Sequence, residues 1–289
     1  MKFAFSTVGC PTWNFETVAA RAKEYGYDGV EFRAFLDDSA ALAANVFLTD
    51  PDKIRHEMDA AGVAIACIAG SVAFSGNKGR DRHAAGDLRQ YIDVASRLGC
   101  PLVKMFDAQV RPGQGRLAVG IAMANWLLPL ADYAVEKGVS IAIENALSFR
   151  SAKEMWMVLE SVPHPAIGVC WDVFNAAQVG ETPYVSVPVL NNRIIYTHVK
   201  DAKFEARGAA YCKLGEGDVP VRKFITRLQG IGYEGYVTVE WDKLWLPNIA
   251  EPEEILPDAV KKLREWIRPA GPEEEAKPKH EKPAAAAAK

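Results

Sequence analysis

The chain has 289 residues, 49% hydrophobic and 25% charged, a globular balance with enough length for one large core. A net charge of -3 and a pI near 6.0 argue against a nucleic-acid face, which needs clustered basic residues. No uninterrupted run of 18 apolar residues occurs, so no membrane-spanning helix is predicted. The five cysteines are scattered, with no Cys-x-x-Cys pair, which predicts reduced thiols and a cytoplasmic protein.

Met1 to Gly9 is too short and interrupted for a signal-peptide core, so Lys2 to Thr7 reads as a first strand. Phe15 to Tyr25 has helical spacing and stops at Gly26; Gly29 to Arg33 is a second short strand. Asp50-Pro51 opens a helix, with aspartate as N-cap and proline in the first turn, running to about Gly62. Val63 to Ala69 is a third strand and Ser71 to Gly79 a loop. A helix from Asp81 to Leu98, a strand over Pro101 to Phe106, a turn-rich loop over Arg111 to Gly115 and a helix from Arg116 to Lys137 follow. Val139 to Glu144 is the fifth strand, and Ser151-x-x-Glu154 matches a capping box that opens a helix to about Glu160. Ile167 to Asp172 is the sixth strand; Pro183 and Pro188 break the stretch after it into short pieces. Arg193 to Asp201 is the seventh strand, Ala202 to Gly217 a charged, glycine-rich loop, and Asp218 to Gln229 a helix. Tyr236 to Glu240 is the eighth strand, and Pro252 to Ile267 a last amphipathic helix.

Eight strand–helix units in sequence predict an α/β protein with a parallel sheet closed into a single (β/α)8 TIM barrel over residues 1–268. The open doubly wound sheet is the competitor, disfavoured because no Gly-x-Gly-x-x-Gly turn follows the first strand. Residues 269–289 are proline, alanine, lysine and glutamate, a composition that predicts a disordered low-complexity tail.

The chemistry is expected where strands end. Glu144, Asp172, His198 and Glu240 stand at the ends of strands five to eight. One end residue per strand can aim at the barrel axis, and neighbouring strands lie ~4.8 Å apart, so the four can surround one ion. Three carboxylates and an imidazole suit a divalent ion of intermediate hardness: manganese first, with magnesium, cobalt or zinc as alternatives. Such a site polarises a carbonyl and its neighbouring hydroxyl. Glu144 and Glu240, on the first and last of these strands, then move protons next to the metal-bound carbonyl through an enediolate. Lys200 shares the parity of His198 and, with Lys104 inside strand four, is expected to bind substrate, with a rim salt bridge as the alternative for Lys200. Trp13 and Trp241 follow strand ends and are expected to wall a sugar. Glu31 and Arg33 share a strand face and are expected to pair with each other.

Ile143-Glu-Asn145, Trp171-Asp172, His198-Val-Lys-Asp201, Leu214-Gly-Glu-Gly-Asp218 and Val239-Glu-Trp241 together resemble the xylose-isomerase-like superfamily of sugar phosphate isomerases and epimerases, over about residues 1 to 268. The resemblance implies a metal held by Glu144, Asp172, His198 and Glu240, with the two glutamates as acid–base pair. The family often shows Asp-x-x-His after strand six; here Asp172-Val-Phe-Asn175 ends in asparagine, which cannot transfer protons and is assigned to substrate binding. An isomerase or epimerase on a sugar or sugar phosphate is the first reading. A lyase on a keto-sugar, such as an inosose dehydratase or a 3-keto-glycoside-cleaving enzyme, shares its first half-reaction and stays open. An apurinic endonuclease needs further histidines where this chain has Ala69, Lys104 and Asn175. The expected partner is a small sugar or keto-sugar, without nucleic acid or membrane, and a second copy or an accessory subunit could complete the pocket.

Overall fold

The computed structural model describes residues 1–33, 47 and 49–267. The tail expected at 269–289 lies outside them.

Eight parallel strands close into a ring. They are β1 (Lys2–Ser6), β2 (Gly29–Arg33), β3 (Ala64–Ala69), β4 (Leu102–Phe106), β5 (Ser140–Glu144), β6 (Ile167–Asp172), β7 (Ile194–Val199) and, after an inserted hairpin, β10 (Tyr236–Val239). Closure is direct, because β1 pairs in parallel with β10 from Lys2 opposite Tyr236 to Phe5 opposite Val239. Outside run α1 (Phe15–Tyr25), α2 (Pro51–Ala61), α3 (Lys78–Leu98), α4 (Arg116–Glu136), α5 (Ala152–Ser161), α6 (Val173–Ala177), α7 (Pro183–Leu190), α8 (Val221–Gly230) and α9 (Pro252–Trp266). This is the (β/α)8 barrel.

Local chemistry sets the boundaries. Asn14 and Asp50 cap α1 and α2 by accepting from the backbone three residues on, and Gly26 and Gly62 end them in left-handed conformation. Ser151 and Glu154 form the reciprocal capping box at α5. α3 starts three residues before the expected Asp81, because Asn77 accepts from the Gly79 and Arg80 N–H groups and becomes the cap. α4 is long and apolar enough to match a membrane span by length and composition, although Asn125 and Asp132 interrupt its apolar run. Its inner face, with Met123, Leu127, Leu130 and Ala134, is buried in the barrel core.

The stretch expected as a loop after β7 is instead an antiparallel hairpin, β8 (Asp201–Glu205) and β9 (Gly208–Cys212). Alternation inside β7 and β10 gives two inward columns, Tyr196, His198, Lys200 and Tyr236, Thr238, Glu240. Each column climbs from the packed interior to the carboxyl mouth.

Candidate active site

Four strand ends converge at that mouth. Glu144, Asp172, His198 and Glu240 are all buried and each offers a donor atom within 4.8 Å of the others. Hydrogen bonds to the backbone fix the strand ends that carry Asp172 and Glu240. Asn145 Oδ1 accepts from the Asp172 N–H at 2.7 Å and its amide returns a bond to the Asp172 carbonyl at 3.0 Å, tying the ends of β5 and β6. Asp172 also caps α6, its Oδ1 accepting from the N–H groups of Phe174 and Asn175. The Glu240 N–H donates to the Val199 carbonyl at 3.1 Å, so β10 hands Glu240 in beside His198.

The histidine is held from behind. Its Nε2 lies 2.8 Å from Glu31 Oε2, and both side chains are fully buried. Glu31 therefore does not pair with Arg33 as expected. Inward residues of β2 and β7 meet across the axis, while Arg33 turns to Ser71 Oγ at 2.9 Å and lies over the rings of Phe106 and Trp245. A carboxylate on Nε2 keeps a proton there and turns Nδ1 toward the cluster. Nδ1 has no hydrogen-bond partner and sits 3.6 Å from Glu144 Oε1 and 3.4 Å from Glu240 Oε1.

Each glutamate has its own lysine. The Lys104 ammonium, fully buried and 4.1 Å from the Phe106 ring centre, contacts Glu144 Oε2. The Lys200 ammonium contacts Glu240 Oε2 and reaches Asp172 Oδ2 at 3.0 Å and Asp242 Oδ2 at 3.4 Å. Burial opposes ionisation of Glu144, but Lys104 and His198 outweigh it and hold the carboxyl well below its usual range. Glu240 is lowered in the same way, against burial, by Lys200 and His198. Burial raises Asp172 despite Lys200. His198 is raised, since the negative groups around it outweigh its burial.

The arrangement fits one divalent cation. The His198 Nδ1, without a hydrogen-bond partner, points at two carboxylates, and Asp172 completes a set of one nitrogen and three carboxylates close enough together to share one ion.

Asn175 is half-buried, and its amide donates to Asp172 Oδ2 at 3.0 Å, so it steadies a proposed ligand directly. Trp13 packs on Phe5 and Tyr25, with its indole N–H donating to Glu253. Trp241 donates to the Ala250 carbonyl and meets Tyr211 edge-on at 5.6 Å. Tyr211, on the unforeseen hairpin, stacks on Phe174 and donates its hydroxyl to Asp242. Asp107, also unforeseen, accepts the N–H groups of Leu147, Ser148 and Phe149 and so shapes the loop after Glu144. Burial pushes its carboxyl up to about 7 even so.

The profile of the xylose isomerase-like TIM barrel family matches residues 19–268. The chain belongs to that family. Among curated relatives, a 3-dehydroshikimate dehydratase of Pseudomonas putida is 24% identical over 232 residues, covering 74% of this chain and 34% of that protein. The chain thus spans about a third of that relative's length. A zinc-bound IOLI protein superposes with a TM-score of 0.78 at 16% identity, covering 92% of this chain and 98% of the other. A D-allulose 3-epimerase of Methylomonas sp., solved with D-allulose, gives a TM-score of 0.74 at 19% identity, covering 92% and 97%. These relatives share the barrel of this chain, and its buried cluster of Glu144, Asp172, His198 and Glu240 can hold one metal ion.

Proposed function

We propose that this protein is a divalent-metal-dependent sugar or sugar-phosphate isomerase or epimerase, with Glu144 and Glu240 as its proton-transfer pair. One observation carries the reading. The two glutamates flank His198 at 3.6 and 3.4 Å, each against a buried lysine placed 40 residues before it in the chain. Two equivalent carboxylate–ammonium units on either side of one centre are what transfer on two faces of a carbon, or between neighbouring carbons, requires.

Glu144, Asp172, Glu240 and His198 Nδ1 would hold the ion, manganese being the first choice for a mixed oxygen and nitrogen set. That ion supplies Lewis-acid polarisation of a carbonyl and its adjacent hydroxyl. Everything else falls to the side chains. Glu144 is held ionised, as a base must be, and takes the proton from the carbon beside the carbonyl. Lys200, an ammonium in contact with Glu240, provides through it the proton that returns on the other side. Glu31 keeps the His198 ring oriented, and Asn175 does the same for Asp172. Lys104 and Lys200 would line the substrate side, and the aromatic groups of Phe174, Tyr211 and Trp241 would form the walls. The five free cysteines, four of them buried, suit a cytoplasmic setting.

A dehydratase is the second reading, favoured by the name of the Pseudomonas putida relative. It uses the same proton removal, with Lys200 or Tyr211 placed to protonate a departing hydroxyl. The test is isotope exchange. The manganese-loaded protein is incubated in deuterated water with ketoses, aldoses, inososes and 3-dehydroshikimate and followed by NMR. Deuterium beside a carbonyl with a new isomer supports the first reading, and a new alkene signal supports the second. Glu144→Gln and Glu240→Gln should each slow exchange by roughly 10²–10⁴-fold; full exchange in both variants would remove the assignment.

A further inference from the structure

We propose that the barrel interior behind His198 binds an ordered water through Glu31, Ser6, Tyr196 and Thr238, and that this water steadies the histidine by anchoring Glu31. Among the described residues, four buried side-chain oxygens in this place have no hydrogen-bond partner: Glu31 Oε1, Ser6 Oγ, the Tyr196 hydroxyl and Thr238 Oγ1. All four residues are 0% exposed.

Register brings them together. Ser6 stands opposite Glu31 across β1 and β2, and Thr238 stands opposite His198 across β10 and β7. Tyr196 is the inward residue one step below His198, and the two rings meet edge-on with centres 5.6 Å apart. Burial and the nearby Glu31 charge push the Tyr196 hydroxyl far up, and Thr238 is close enough to work against them. Yet no two of the four oxygens meet in hydrogen-bond geometry. The Trp171 indole N–H also lacks a partner, but Trp171 alternates with Asp172 on β6 and faces away from the axis.

An unpartnered buried oxygen is costly, and a carboxylate oxygen most of all. Native interiors satisfy such groups, with ordered water where side chains fall short. The chemistry selects water over other small ligands. Glu31 Oε1 only accepts, while each of the three hydroxyls both donates and accepts. An anion would face the Glu31 charge, and an apolar molecule would leave all four oxygens unpaired. A hard cation asks for about six oxygens, whereas a water asks for about three partners. Room comes from small side chains. Ala4, Cys67, Ala142 and Cys170 line the interior beside Tyr196, where barrels ordinarily place valine, isoleucine or leucine.

Glu31 Oε2 is the oxygen 2.8 Å from His198 Nε2. With Oε1 tied to the water, the carboxylate cannot swing, and the ring keeps Nδ1 toward the cluster. Ser6, Tyr196 and Thr238 are therefore positioning residues that act through Glu31. The link to the ion rests on the ligand set proposed above; the water itself does not.

A crystal structure of the chelated protein should show solvent density within hydrogen-bond distance of Glu31 Oε1 and of at least one of the hydroxyls. Thermal unfolding of the same chelated protein gives a test of sign. Removing a water-bonded hydroxyl in Tyr196→Phe or Thr238→Val should lower the midpoint by roughly 2–4 °C. The double variant should lose less than the sum, because both changes release the same water. Calorimetry should show manganese binding weakened roughly 3–10-fold in each single variant and unchanged in Thr238→Ser, which keeps the hydroxyl. An interior without solvent density, direct bonds among the four oxygens, or a midpoint unchanged or raised in both variants would overturn the water. So would a midpoint that depends on sodium or potassium at constant ionic strength, since the occupant would then be a cation. Wild-type manganese affinity in both variants would overturn the link to His198. A wild type that binds no manganese would overturn the ligand set and that link together, while the crystal and thermal results would still decide the water.

Discussion

Asp242→Asn is the most informative single perturbation of the centre. In the structure Lys200 Nζ lies among three carboxylates, Asp172 at 3.0 Å, Glu240 in contact, and Asp242 at 3.4 Å. A dication held by Asp172 and Glu240 would compete with the Lys200 ammonium for their negative charge, so Lys200 would lean more heavily on Asp242, which Tyr211 holds in place. At an effective dielectric of ~20, two unit charges 3.4 Å apart attract by ~5 kcal/mol. Lys200 keeps part of that by staying with Asp172, so the metal's loss is set nearer the worth of one charged hydrogen bond, about 2 kcal/mol. That predicts roughly 30-fold weaker manganese binding by isothermal titration calorimetry, at ~1.4 kcal/mol per factor of ten. The mechanism is competition, which makes a sharper prediction than weakening alone. In a Lys200→Met background, Asp242→Asn should have little further effect, because no ammonium remains to compete. Wild-type affinity in Asp242→Asn, or an equal loss with and without Lys200, would refute the reasoning.

Three further outcomes follow from the same geometry. Glu31→Gln removes the carboxylate behind His198 and should cost roughly 10–100-fold in metal affinity by calorimetry, without change in fold. Asp107 titrates at about 7 in the folded protein against 3.8 ordinarily, so the fold retains its proton to higher pH than the unfolded chain does. Its contribution therefore disappears as pH rises from about 4 to about 7, by up to roughly 4 kcal/mol; thermal midpoints taken with chelator should show this slope in the wild type and a flatter one in Asp107→Asn. Gly217→Ala would set a methyl 2.2 Å from Asp201 Oδ1 and 2.5 Å from the Ala202 carbonyl. It should destabilise by roughly 1–3 kcal/mol and speed hydrogen exchange first in the β8–β9 hairpin.

The barrel was legible because its signals are local. Asparagine, aspartate and serine caps, left-handed glycines after helices and β-branched runs each act within a few residues, and α1, β2 and β6 appear with the expected limits. The cluster was legible for a related reason: a strand end is readable from sequence, and a parallel barrel gathers strand ends. What failed was partnership across the axis. Glu31 and His198 are 167 residues apart, and only barrel closure makes them neighbours, so the nearer cation, Arg33, was the natural but incorrect partner. The charge at Glu31, inside a strand buried on both faces, did signal that some partner was required. The hairpin was missed because its strands carry little apolar alternation. Asp201 instead secures its base by accepting from the N–H groups of Gly215, Gly217 and Val219, a glycine-rich pattern that reads as loop. Trp13 and Trp241 follow strand ends as expected, but both indole N–H groups are committed to the protein itself, to Glu253 and to Ala250.

The paired lysines also bear on the order of events in the protein's life. A nest of buried carboxylates would ordinarily make the empty barrel self-repelling and tie folding to metal supply. Here Lys104 and Lys200 travel in the same polypeptide and neutralise Glu144 and Glu240 as the strands assemble. The chain can therefore complete its barrel in a metal-poor moment and be charged later. Under the proposed metal-dependent function, its abundance in a cell would then track synthesis, and its activity would track the available ion.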